Sequence, residues 1–250
     1  MAEWYTYDWE LSGQPATFHV DLSYITEFDT LGDFTTLLYV SCLSNNAQAL
    51  SFTARERRHL DDVFKDCERV LKGKSVYVGY IDMLAQRRYY FYVSDARLLV
   101  PMLSVCKDDG VLRLNCTKAA EPNRQTYYRL LVPDAAKRQS NDNTRYIEAL
   151  RERGDDNDAP RRVNLHFYFP TVQGRSLFAA EIREAGFALG KDDYIPEQEL
   201  PYYLVIHRVS PLHKDALTHL TTTAIECAAP YGGILAHMDS GLVLKRGIFG

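Results

Sequence analysis

Two stretches of the chain carry the same order of local signals: strand, helix, strand, strand, helix, strand. The first runs over residues 37–117 and the second over residues 163–238. A chain with that order twice must build two β-layers, each with a pair of helices to cover it, because a sheet needs a partner layer to bury its apolar face.

In the first run, Leu37-Leu38-Tyr39-Val40-Ser41-Cys42-Leu43 is a short apolar segment rich in strand formers. Thr53 and Glu56 have capping-box spacing. Behind them Leu60, Val63, Phe64, Cys67, Val70 and Leu71 recur at steps of three and four before Gly73 ends the helix. Residues 76–82 and 88–93 form a predicted hairpin around Leu84-Ala85-Gln86. Residues 95–106 follow as a helix through Leu98, Leu99, Met102, Val105 and Cys106, with a kink or restart expected at Pro101. Residues 111–117 complete the set.

The second run begins with a strand at 163–169. A helix over 174–185 points Phe178, Ile182 and Ala185 inward and stops at Gly186-Phe187. Strands at 187–194 and 202–209 precede a helix that Ser210-Pro211 opens, with Leu217, Leu220, Ala224 and Cys227 on one face and Pro230 barring its continuation. Residues 233–238 form the last strand, and Gly232-Gly233 allow a backbone bend where helix meets strand. Upstream of both runs, residues 4–8 and 16–22 flank Ser12-Gly13 as a β-hairpin. The predicted fold class is therefore α+β: two tandem ferredoxin-like (βαββαβ) domains, the first with an extra N-terminal β-hairpin.

At 250 residues the chain is long enough for two ordinary cores, and 46% apolar residues is a globular composition. Between the runs the character changes. One helix candidate carries Tyr127, Tyr128, Leu130 and Leu131, and another carries Tyr146, Ile147 and Leu150; both apolar stripes are narrow. Residues 139–143 and 154–160 are polar stretches expected not to bury enough surface to order themselves. The expected division is a domain over 1–134, a helical and polar linker over 135–160, and a domain over 161–250.

Chemistry-bearing motifs are sparse. His213 and His219 are six apart and so face different ways on a helix, while His237 and Asp239 share one face of a strand without a third ligand beside them in sequence; these read as ordinary surface or structural residues. No Gly-x-Ser-x-Gly elbow or phosphate-binding glycine loop is present, so no catalytic residues, metal or cofactor are expected. The five cysteines are scattered without a Cys-x-x-Cys pair and read as reduced core thiols. The N-terminus MAEWYTYDWE lacks the basic and apolar regions of an export signal, and no stretch approaches a membrane span, so a cytoplasmic location is expected.

Acidic clusters occur at Asp108-Asp109, at residues 155–158 and at Asp192, Asp193, Glu197 and Glu199. The last group is the candidate docking site for a basic partner; the bland reading of such runs is a solvated turn. The rival reading is a single-stranded RNA-binding module in which Tyr90, Tyr92, Phe167 or Phe169 stack bases beside Arg87 and Arg88, with Arg161 and Arg162 near the second strand. A formal charge of −4 gives no bulk attraction to phosphate, and core packing is the default for such rings, so nucleic acid is the less favoured partner.

The second half, through Ser176-Leu177-Phe178-Ala179-Ala180, Ala185-Gly186-Phe187, Pro201-Tyr202-Tyr203-Leu204-Val205-Ile206-His207-Arg208 and Pro230-Tyr231-Gly232-Gly233, resembles the regulator of ribonuclease E activity B family. The first half, through Leu38-Tyr39-Val40, Tyr77-Val78-Gly79-Tyr80-Ile81, Tyr89-Tyr90-Phe91-Tyr92 and Tyr127-Tyr128-Arg129-Leu130-Leu131-Val132-Pro133, is similar to an uncharacterised domain often fused ahead of that regulator. The resemblance implies a ferredoxin-like protein that binds an endoribonuclease and inhibits it without catalysis of its own.

Overall fold

A computed structural model describes residues 2–107 and 110–245, apart from the side chain of Asp29. The acidic pair Asp108-Asp109 lies outside the described residues. The chain divides into two compact units, Met1–Pro133 and Asp134–Gly250, each built on an antiparallel sheet, so the fold is α+β.

The first unit opens with β1 (Trp4–Leu11) and β2 (Gln14–Asp21), joined by Ser12 and Gly13 with φ of 53° and 73°. Two consecutive positive φ values give the turn whose twist matches an antiparallel pair. After the short helix α1 (Tyr24–Glu27) come β3 (Thr36–Ser44), α2 (Ala54–Leu71), β4 (Ser75–Met83), β5 (Gln86–Val93), α3 (Leu99–Val105) and β6 (Leu112–Ala120). The sheet order is β1-β2-β4-β5-β3-β6, and every pairing is antiparallel. The capping box forms: Thr53 Oγ1 accepts from the Glu56 backbone N–H at 3.2 Å, and Glu56 Oε2 accepts from the Thr53 N–H at 2.7 Å. The expected break near Pro101 is a restart, a 3-10 turn over Ala96–Leu98 giving way to α3 at Leu99. Pro101 thus falls in the first helical turn, where its missing N–H has no intrahelical partner to lose.

Both faces of this sheet are covered. Tyr89, Phe91 and Val93 of β5 pack with Leu60, Val63, Cys67 and Leu71 of α2 and Met102 of α3. Tyr90 and Tyr92 point the other way, into a second core with Tyr7, Phe18, Val20, Phe28, Tyr127 and Leu131. Burial of each such ring is worth about 1.5–3 kcal/mol, provided its hydroxyl finds a partner. They do: Tyr89 donates to the Leu60 carbonyl at 3.0 Å, Tyr92 to Glu121 at 2.8 Å, and Tyr127 to the Asp21 carbonyl at 2.7 Å. The segment Thr126–Leu131, a single π-helical turn, is the lid that buries Tyr127 and Leu131 on this second face.

The second unit contains α4 (Ala135–Glu152), β7 (Arg161–Phe169), α5 (Val172–Glu184), β8 (Ala188–Tyr194), β9 (Tyr202–Ser210), α6 (Lys214–Ala228) and β10 (Ile234–Ser240). Its sheet order is β10-β7-β9-β8, again antiparallel throughout. Val163, Leu165, Phe167 and Phe169 of β7 are buried against Phe178 and Ile182 of α5 and Leu217, Leu220 and Ala224 of α6. Gly186 (φ 83°) ends α5, with the Phe187 N–H returning to the Ile182 carbonyl at 3.2 Å, the expected stop. The two glycines after Tyr231 act differently. Gly232 takes a left-handed φ of 68°, whereas a Cβ on Gly233 would sit 2.2 Å from the Phe169 ring, so its hydrogen side chain is a matter of packing.

Residues 135–160, expected as a linker, are structured as part of this unit. Helix α4 starts at the N-cap Asp134, and Ile147 and Leu150 join the second unit's core. The polar stretch 139–143 is not left to solvent: Ser140 and Asn143 are buried and bond to Thr218 and Thr221 of α6. In 154–160, Asp155 is buried and paired with Arg161 Nη1 at 2.6 Å. Apolar area was the wrong criterion for these segments, because hydrogen bonds and an ion pair order them instead. No helix among the described residues is long and apolar enough to cross a membrane.

Candidate functional site

In a strand successive side chains alternate, so covering one face of the second sheet with α5 and α6 leaves Arg162, Asn164, His166 and Tyr168 of β7 on the opposite face. Tyr203, Val205, His207 and Val209 of β9 lie beside them, in register Tyr168 with Tyr203, His166 with Val205, Asn164 with His207 and Arg162 with Val209. On the other side, β10 would turn His237 and Asp239 into the core if its pairing were regular, since Leu235 faces Phe167. A bulge between Leu235 and His237 inserts Ala236 and shifts the phase by one residue. His237 then stands opposite His166 and Asp239 opposite Asn164, all on the open face, while Leu235 and Met238 both reach the core.

The result is a connected polar cluster. His166 Nε2 lies 2.6 Å from Asp239 Oδ2, and His166 Nδ1 lies 2.5 Å from the Tyr203 hydroxyl. Asn164 Nδ2 donates to Asp239 Oδ1 at 2.7 Å. The His237 ring stacks on His166, with centroids 3.8 Å apart and planes 18° from parallel. Burial would raise the Asp239 carboxyl, but the hydrogen bonds from Asn164 and His166 hold it below its ordinary value. His237 is pushed down by burial and by the neighbouring His166. His207, beside Arg162 at 3.2 Å, is lowered by burial and by that guanidinium. The ligand atoms of His166, His237 and Asp239 lie within 4.8 Å of one another.

His237 and Asp239 were visible in the sequence as a pair; His166, Asn164 and Tyr203 were missed. Alternation along residues 163–169 does put His166 opposite in facing to the buried rings, yet its meeting with His237 depends on a bulge that no residue pattern announces.

The other expected site residues lie elsewhere. Asp192 and Asp193 sit on β8, an edge strand, and Glu197 and Glu199 lie in the turn after it; Glu197 and Glu199 are exposed. Arg175 Nη1 lies 3.4 Å from Asp192 Oδ2, and Lys191 Nζ lies 2.8 Å from Asp193 Oδ2, so two of the four carboxylates have local cations. A pocket of about 330 Å³ between α5 and β8 is lined by Arg175, Arg183, Gly190 and Asp192.

The RNA-stacking rings are corrected by the structure. Tyr90, Tyr92, Phe167 and Phe169 are 2%, 0%, 0% and 0% exposed, and a base cannot stack on a ring already packed on both faces. Arg87 is held by Asp82 through two bonds of 2.6 and 2.5 Å and lies over the Tyr80 ring, while Arg88 reaches Ser41 and the Tyr39 ring. Arg161 is buried on Asp155. Only Arg162 of the basic residues named for RNA faces outward on the open sheet.

Fold and open face together define a two-unit α+β protein whose second unit presents a polar sheet surface and an acidic edge. Residues 140–238, all within that unit, match the family model described as regulator of ribonuclease activity B. The match lies in the C-terminal half of the chain, where the sequence resemblance was read. No curated protein matches the chain. Among solved structures, one described as an unknown protein from Galdieria sulphuraria is similar at 10% identity over 84% of this chain and 99% of that chain, with a TM-score of 0.22, too low to bear on the fold.

Proposed function

We propose that this is a non-catalytic regulatory protein that binds a ribonuclease through its second unit and lowers its activity. The observation that carries the reading is the family match over 140–238, which falls inside one compact unit. Both units are read as ferredoxin-like. In each βαββαβ run the fourth strand lies beside the first and the third beside it on the other side, followed by the second: β6-β3-β5-β4 and β10-β7-β9-β8.

The proposed docking surface is the acidic edge of Asp192, Asp193, Glu197 and Glu199. An enzyme that grips RNA phosphates needs a cationic surface, and an exposed acidic edge strand is complementary to one in charge. The five cysteines are free thiols, which suits a cytoplasmic protein in a reducing compartment. The test is cleavage of a defined RNA by an endoribonuclease purified from the same cells, with and without the full-length protein. Slower cleavage with a complex detectable by gel filtration supports the proposal; unchanged cleavage and no complex at low salt would end it.

A further inference from the structure

We propose that His166, His237 and Asp239 on the open sheet face bind one divalent first-row transition ion, of which Zn²⁺ is the probe of choice. Two imidazoles and a carboxylate are a donor set suited to such ions. Their ligand atoms already lie within 4.8 Å of one another, and the His166 Nε2 to Asp239 Oδ2 separation is 2.6 Å. Ligand bonds of about 2.0–2.2 Å in tetrahedral geometry put donor atoms roughly 3.3–3.5 Å apart. The His166–Asp239 pair therefore opens slightly to admit an ion and the His237 ring turns toward it. His237 and Asp239 are on the exposed side of an edge strand, where such rotamer changes meet no core packing.

The supporting groups are also in place. Metal-binding imidazoles are oriented by a partner on the far ring nitrogen, and ligating carboxylates by a donor on the far oxygen. Tyr203 supplies the first at 2.5 Å from His166 Nδ1, and Asn164 the second at 2.7 Å from Asp239 Oδ1. Proton bookkeeping is consistent. Before binding, His166 Nε2–H donates to the Asp239 carboxylate and Nδ1 accepts from the Tyr203 hydroxyl. With the ion on Nε2, the ring carries its proton on Nδ1 and donates it to the Tyr203 oxygen, whose own hydrogen rotates to solvent. The tyrosine can serve both tautomers, since a hydroxyl donates and accepts. A fourth coordination position faces outward from the sheet.

The site goes beyond regulator docking, and its test involves no ribonuclease, so the two ideas fail separately. Full-length protein, stripped with a chelator, is titrated with Zn²⁺ by calorimetry and with Co²⁺ by visible absorption. The expected result is one equivalent bound with nitrogen and oxygen ligation, seen as Co²⁺ d–d bands without thiolate charge transfer. His237→Ala and Asp239→Asn, both exposed positions, are expected to weaken binding at least about 100-fold with unchanged circular dichroism, and Asn164→Ala by about 10–100-fold. Absence of any binding overturns the proposal. So does undiminished binding by a His237→Ala/Asp239→Asn double variant, or a cobalt spectrum dominated by thiolate.

Discussion

Asn143 of α4 donates its side-chain N–H to Thr221 Oγ1 of α6 at 2.8 Å, and both residues are wholly buried. Thr221 in turn donates to the Leu217 carbonyl at 3.0 Å, so the hydroxyl is used in both directions. With Ser140 and Thr218 one turn along, this forms a polar seam between two helices that also place Ile147, Leu150, Leu217 and Leu220 in the unit's apolar core.

Breaking that seam should uncover its cost. Asn143→Ala removes this buried bond and leaves the Thr221 hydroxyl with its bond to the Leu217 carbonyl, and a lost buried hydrogen bond costs about 0.5–1.5 kcal/mol. Urea unfolding of a fragment spanning residues 134–250 is expected to show that loss, and a fragment beginning at residue 161, which lacks α4, should unfold noncooperatively. A cooperative transition of undiminished midpoint in the shorter fragment would show that α4 is not integral to the unit.

The buried pair of Asp155 and Arg161 makes stability depend on acid pH. Burial by itself raises the Asp155 carboxyl, but the Arg161 guanidinium and the Val243 backbone N–H at 2.8 Å outweigh it and hold the group below its ordinary value. A carboxyl lowered by folding adds stability that is complete above its unfolded value of about 3.9 and disappears as pH falls through the lower folded value. Urea midpoints should therefore drop as the pH falls below about 4 in the native protein. Asp155→Asn should flatten this drop and cost about 3–5 kcal/mol at neutral pH, because Arg161 is then buried without its counter-charge. An equally steep acid loss in the variant would assign the effect to other carboxyls.

Gly79 is the residue of β4 that no side chain can replace. It lies at a bulge opposite β5 with φ of 140°, and a Cβ there would stand 2.1 Å from the His19 carbonyl oxygen of β2. The clash is with backbone, so β2 and β4 must separate. Gly79→Ala is expected to cost at least about 2 kcal/mol, combining strain and a disrupted ladder. Thermal unfolding would detect this as a shift of several degrees, and a midpoint within one degree of the native value would contradict the close approach.

Charge reversal at Asp192, Asp193, Glu197 and Glu199 should slow association with the ribonuclease and abolish the salt dependence of the rate, with little change in dissociation. Stopped-flow association at two ionic strengths distinguishes this from a fold defect, which would alter both rates. Unchanged association would move the docking surface elsewhere.

Much of the secondary structure was written in local chemistry. The Thr53 and Glu56 cap, the Gly186-Phe187 stop, the hairpin around Ser12-Gly13 and the kink or restart at Pro101 all depend on residues within a few positions of one another, and each appears, the last as a restart at Leu99. The strand aromatics were legible as core, yet the sequence alone left base stacking open, because a ring's burial depends on what covers it. Tyr90 and Tyr92 are covered by Tyr127 and Leu131, which lie more than thirty residues further along the chain. Residues 139–143 misled for the complementary reason: Asn143 looks solvated until Thr221, far away in sequence, supplies its partner.

What the amino-acid order settled by itself was the succession of strands and helices and the apolar faces they bury, since periodicity, caps and turns act over short range. Which strands adjoin, where Asp134 begins the second unit, and the gathering of His166, His237, Asp239, Asn164 and Tyr203 on one surface were decided only in three dimensions. The physical reason is register: a single inserted residue, Ala236, reverses the facing of everything after it in β10, and only pairing with β7 determines where that insertion falls.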